Sequence, residues 1–202
     1  MNLTSQYLRI SLILVLIILI GVFTKKYLDP NTNWHQSEIN AVSSLIQIYE
    51  AEWKWNNLDT DKNSNHDFWA RDIAGLYFYI NPLTGKIVKY IPKEIAVADL
   101  SPHFNFYLGN QFECIPEKGY NFKMAQYDVS GFYLAKKDPS TNLEYVNDEF
   151  CAIAFPVNPN LNTFIINSSK KVLYKKVEHL SKANKWPVDP EKEGWKELTL
   201  KN

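Results

Sequence analysis

The chain has 202 residues, a length for one domain or at most two small ones. Lysine and arginine number 22 against 22 aspartate and glutamate, and a formal net charge of zero excludes a protein that grips nucleic acid by bulk charge. An apolar fraction of 46% and an aromatic fraction of 14% supply a real core, while two cysteines exclude a disulfide-dense scaffold and a four-cysteine zinc site. The first element in chain order is residues 10–23, ISLILVLIILIGVF, broken only by Ser11 and Gly21 and flanked by Arg9, Lys25 and Lys26. Fourteen residues give about 21 Å of helix, and extension from Tyr7 to Tyr27 gives roughly 31 Å, enough to span a hydrocarbon core. Arg9 and the lysines then snorkel, and the tyrosines sit among the headgroups. A cleaved signal peptide is the alternative, but no A-x-A-like site follows. The flanking charges give no firm orientation. The composition beyond the run suits a translocated domain.

Asp29, Pro30, Asn31, Thr32 and Asn33 break the first helix and form a hinge. A second helix is predicted to start near Asn33, with Gln36 as a loose capping-box partner, and to run to about Trp55. Ile39, Val42, Leu45, Ile46, Tyr49 and Trp53 recur at spacings of three and four and form one apolar face; Glu38, Ser44, Gln47, Glu52 and Lys54 lie opposite. Residues 56–67 are polar and form a loop. Asp67 is placed to cap a short helix, FWARDIA, that Gly75 ends. Segments 76–80 and 86–91 flank the turn NPLTG and are predicted to pair as a hairpin. Pro92 opens a further short helix, PKEIAVADL, closed before Pro102. Strands are predicted at 104–108, 120–127, 131–135, 150–155, 163–166 and 172–176, with a hairpin turn at 167–171. Long helices first and strands later favour an α+β fold with an antiparallel sheet. The division is a membrane anchor at 1–28, a hinge at 29–33, and a single extracytoplasmic domain at 34–202 with a tail at 177–202.

This order resembles the type IV pilin and pseudopilin architecture: an N-terminal transmembrane helix, an amphipathic helix, then an antiparallel sheet. The pilin processing signature differs, since Gly21 precedes Val22 and Phe23 and the fifth following position is Lys26. A second likeness is carried by Ala51-Glu52, DTDKNSNHDFW (59–69), DIAGLY (72–77), AVADLSP (96–102), GYNFKM (119–124), FCAIAFPV (150–157), TFIIN (163–167) and WPVDPEKEGW (186–195). On these the chain resembles a little-characterised bacterial family of pilin-like, membrane-anchored proteins of unknown function. The resemblance implies an exported, anchored domain and no reaction.

The sharpest local constellation is residues 59–67. Asp59, Asp61, Asn63, Asn65 and Asp67 place oxygen side chains at alternate positions, as in the first part of an EF-hand-like calcium loop. Ser64 stands where the sharp turn prefers glycine, and Ala70 stands where a bidentate carboxylate closes such a site. The alternative is a solvated turn whose Asx hydrogen bonds cap the next helix. Cys114 and Cys151 can form a disulfide in an exported domain, or Cys151 can be a buried free thiol. His35, His66, His103 and His179 show no ligand spacing, and seven glycines make a phosphate cradle hard to build. Lys170, Lys171, Lys175, Lys176, Lys182 and Lys185 face Glu178 alone, and read as a lysine-protected edge strand or a patch for an anionic surface. Among the tryptophans, Trp186 and Trp195 are the better ligand-stacking candidates because they lie in a polar tail; the alternative is that they pin it.

The expected function is that of a non-catalytic, membrane-anchored structural or assembly protein. It is held by residues 10–23 in a bacterial membrane, with its C-terminal domain in the periplasm or outside the cell. A protein partner or a homo-oligomer is expected, and no nucleic acid. The rival is an extracytoplasmic solute- or polysaccharide-binding module.

Overall fold

The structure, a computed structural model, describes residues 34–61, 66–69, 71–81, 83–101, 113–125, 135–137, 144–146 and 149–200. The expected anchor, the hinge and the 104–108 strand lie outside them. The central element is helix α1, Gln36–Leu58. Its N-cap is His35, two residues later than the sequence suggests. The His35 Nδ1 accepts from Ser37 N, and the Glu38 carboxylate accepts from His35 N at 2.9 Å, closing a capping box. The helix ends when Asp59 turns left-handed at φ 44°, three residues beyond the expected end at Trp55.

α1 is buried on more than one face. Val42, Leu45 and Ile46 are interior as expected, but so are Ala41, Ile48, Ala51 and Trp55. Glu38, Ser44 and Glu52, assigned by periodicity to the outer face, are buried too, while Trp53 is exposed. One side of α1 packs on the sheet and the other on residues 68–90, where the Trp55 ring lies 4.7 Å from that of Trp69 and 5.0 Å from that of Tyr79. A helix enclosed from two sides takes polar residues inward wherever neighbouring N–H groups need acceptors.

The sheet holds β1 (Tyr120–Met124), β4 (Cys151–Pro156), β5 (Thr163–Asn167), β6 (Val172–Lys175) and β7 (Lys196–Leu198), antiparallel in the order β1-β4-β5-β6-β7. β2 (Ala135–Lys137) and β3 (Glu144–Val146) pair separately. The fold is thus α+β, a helix on a five-stranded antiparallel sheet. The β5–β6 turn is where the sequence places it: Lys170 adopts φ 61°, and the Asn167 side chain accepts from Lys171 N. β7 is unforeseen. It pairs outside β6, so the lysine-rich strand is not the edge. At the other margin, residues 98–100 run beside β1, with Phe122 N donating to Ala98 O and Leu100 N to Phe122 O, both at 2.8 Å.

Between α1 and the sheet the sequence reading needs correction. Residues 66–69 are irregular, and the short helix α2 is Gly75–Phe78, so Gly75 opens a helix instead of ending one. The predicted hairpin keeps its turn, but its ladder shrinks to one bridge, Ile80 to Ile87, because 75–78 is helical. Helix α3 is Lys93–Val97, shorter than expected.

Glu38 ties the start of α1 to the β4–β5 connection. Its Oε1 accepts from Asn162 N at 3.0 Å and from Asn162 Nδ2 at 2.7 Å. Glu38→Ala removes the acceptor of three partly buried bonds, and we expect a loss of about 1–2 kcal/mol in denaturant unfolding of the full chain in detergent. Glu38→Gln should recover part of it, since its carbonyl can still accept from Asn162. A Glu38→Ala chain as stable as the parent would show the tie to be idle.

Candidate functional site: the carboxylate-rich segment after the central helix

Among the described residues, Glu52, Asp67, Asp72 and Asp99 gather around Trp69 and the start of α2. Glu52 Oε2 accepts from Trp69 N at 2.8 Å. Trp69 Nε1 donates to Asp72 Oδ1 at 3.3 Å, and Gly75 N donates to the same oxygen at 2.6 Å. Asp99 Oδ2 accepts from Ala74 N at 2.9 Å and from Ser101 Oγ at 3.1 Å, and its Oδ1 accepts from Ser101 N at 2.8 Å. Arg71 Nε stands 3.6 Å from Asp72 Oδ2.

All four carboxylates are buried, Glu52 and Asp72 completely. Burial pushes Glu52 well above the ordinary carboxylate range; the bond from Trp69 N opposes this rise, and the charges of Asp72 and Asp67 add to it. Burial, with Asp72 alongside, pushes Asp99 up to about 7 against the bonds from Ala74 and Ser101. Such groups could in principle hold or pass a proton. Glu52, Asp72 and Asp99 accept from the backbone N–H groups of Trp69, Gly75, Ala74 and Ser101 and so fix the chain at those residues. The DIAGLY and AVADLSP motifs therefore supply acceptors for the core. Two signals announce the carboxylates in the sequence: Asp72 stands three residues before Gly75, and Asp99 two before Ser101, both Asx spacings.

The expected calcium residues divide. Asp59 and Asp61 lie in the turn that ends α1, and Asp67 is buried beside Glu52. Asn63 and Asn65 lie outside the described residues. Among the described residues no three His, Cys, Asp or Glu side chains are grouped to hold a metal ion. His66 closes the segment back on α1, its Nδ1 2.9 Å from Asn56 O.

The two cysteines are free thiols in the structure. Cys114 Sγ donates to Asn121 Oδ1 at 3.2 Å, whereas Cys151 is buried at the far end of β4, whose other end pairs with that part of β1. Burial pushes Cys151 up to about 12, and burial with Asp99 nearby pushes Cys114 up to about 11. The tail tryptophans pin the tail. Trp195 is buried under Lys175, whose Nζ stands 4.6 Å from the ring centroid and donates to Glu193 O, and Trp186 packs partly buried against the core. Lys171 pairs with Glu197 of β7 at 2.8 Å. Within the basic run, Lys171 thus contacts β7 through an exposed pair.

No protein-family model matches the chain, and neither a curated protein nor a solved structure shows significant similarity to it. Among the described residues no helix is long and apolar enough to cross a membrane.

Proposed function

We propose that the chain is a membrane-anchored, pilin-like structural or assembly protein that acts through contacts between protein surfaces. The observation that carries this is the place of α1. The apolar run 10–23 leads, through a short polar stretch, into a 23-residue helix that is the central element of the folded head. The use of Glu52, Asp72 and Asp99 as acceptors for core N–H groups supports a structural role for them, as the burial of Trp195 does for the tail.

Fractionation tests the reading. The full chain should stay in the membrane pellet through high-salt and carbonate washes, and after gentle solubilisation it should carry a stoichiometric protein partner, itself included. Recovery of a soluble mature chain starting near Thr24, or of a lone monomer with affinity for glycans, would overturn it.

A further inference from the structure

The described residues of 68–101 form a layer with little regular structure of its own. Its helices are α2, of four residues, and α3, of five, and Ile80 and Ile87 meet in a single bridge. In the sheet, by contrast, β1, β4, β5 and β6 pair with their neighbours along four or five residues each. Short elements joined by few ladder bonds open at lower cost than a continuous sheet.

Two seams fasten the layer, and a buried carboxylate stands at each. At the α1 seam, Glu52 Oε2 accepts from Trp69 N at 2.8 Å, Asn81 Nδ2 donates to Thr60 O at 2.7 Å, and the hydroxyls of Thr60 and Tyr90 are 2.9 Å apart. At the β1 seam, Phe122 N donates to Ala98 O and Leu100 N to Phe122 O. Asp99 lies between those two bonds, bridged to Phe122. Its side chain turns back into the layer, where Oδ2 accepts from Ala74 N and Oδ1 from Ser101 N. One carboxyl group thus joins the strip along β1 to the start of α2.

The charges around that group are unbalanced. Asp72, also fully buried, is its carboxylate neighbour within the layer. Arg71 stands 3.6 Å from Asp72 Oδ2. β1 contributes Lys123, whose own charge burial disfavours, and Cys114 is held as a neutral thiol. Beyond Asp72 lie Asp67 and, on α1, Glu52, itself raised by burial. With every one of these groups ionised, four carboxylates would face two cations. A neutral Asp99 needs no hydration. An ionised one, buried beside Asp72, is relieved by water, which reaches it only when the layer parts from its neighbours.

We propose that this layer is a flap operated by the charge on Asp99: it docks on α1 and β1 while Asp99 is protonated, and it parts from them, with the sheet intact, once Asp99 and Asp72 are both charged. Opening releases the Asp99 proton. Docking is therefore strongest below the ordinary carboxylate range and is lost as pH rises through about 7. Opening uncovers Trp55 of α1, whose ring rests against those of Trp69 and Tyr79. The device is separate from the assembly function proposed above and holds or fails without it.

Hydrogen exchange of the full chain in detergent, read by mass as protection factors at pH 5 and pH 8, tests this. Peptides from 71–81 and 95–101 should lose protection by at least about tenfold between the two, and at pH 8 should lie at least about a hundredfold below peptides from β4 and β5. Asp99→Asn cannot ionise and should cut the flap's fall at least about threefold. Asp72→Asn keeps the oxygen that serves Trp69 Nε1 and Gly75 N and removes the facing charge, so it should cut the fall by a similar factor. Sheet protection reports whether each variant has folded; where Asp99→Asn loosens the sheet as well, Asp72→Asn decides. Flap and sheet equally protected at pH 8, flap protection unchanged between pH 5 and pH 8, or the full parental fall in the folded variants overturns the proposal.

Discussion

Gly75→Ala is expected to lower the stability of the domain by about 3 kcal/mol or more. A methyl group there would stand 2.2 Å from Trp69 Nε1, 2.4 Å from Cε2 and 2.6 Å from Cζ2. The indole has nowhere to go. It is 5% exposed, bonded to Asp72, and set against the rings of Trp55 and Tyr79 at 4.7 and 5.3 Å. Alanine's better helix propensity returns at most about 1 kcal/mol, so the clash decides the sign. Denaturant unfolding of the full chain in detergent measures the loss. Trp69→Phe, which replaces the bicyclic indole with a single smaller ring, should cost less in the Gly75→Ala background than in the parent. A Gly75→Ala chain within about 0.5 kcal/mol of the parent would show that the ring and backbone part easily.

The second large effect is one of pH. Asp99 is fully interior, and burial beside Asp72 raises it from the ordinary carboxylate range to about 7. The folded chain therefore holds a proton on Asp99 that the unfolded chain releases near pH 4. The stabilisation is complete below the unfolded value and is lost as pH rises through about 7. Glu52, raised by burial, acts in the same direction. Asp189, held below its usual range by its hydrogen bonds with Lys192, acts in the opposite direction, but it lies at the surface, where solvent screens the effect. A tenfold difference in proton affinity between the folded and unfolded chain is worth about 1.4 kcal/mol, so the domain should be more stable at pH 5 than at pH 8 by several kcal/mol. Lys123, itself lowered by burial, and Cys114 are the other groups that interact with Asp99. Arg71 acts on it through Asp72. Asp99→Asn should remove most of the slope and lower stability at pH 5 by about 1–3 kcal/mol, because its single carbonyl cannot accept from both Ala74 N and Ser101 N. An unchanged slope in Asp99→Asn would place the titration elsewhere.

Local chemistry alone determines the order of elements. The apolar period of α1, the β-branched and aromatic composition of β1, β4, β5 and β6, and the turn residues Asn81, Gly85 and Asn167 each act on their near neighbours, and all are legible without coordinates. β7 lies in a polar tail, and its pairing with β6 is a long-range event that no alternation in Lys196, Glu197 and Leu198 announces.

The tertiary structure decides what surrounds each element. Periodicity assigns one apolar face to α1, yet the helix is enclosed by the sheet on one side and by residues 68–90 on the other. Glu38 and Glu52 are drawn inside because the N–H groups of Asn162 and Trp69 need acceptors there. Gly75 reads locally as a helix terminator, but it opens α2 because only a residue without a side chain lets the Trp69 indole lie against it. Nothing in the spacing of Cys114 and Cys151 says that one sits beside Asn121 and the other at the far end of β4. Sequence thus determines which residues prefer a helix, a strand or a turn, since those preferences act through neighbouring bonds. The burial of a carboxylate, the role of a glycine and the separation of two thiols depend on groups distant in the chain, and only their meeting in the fold decides them.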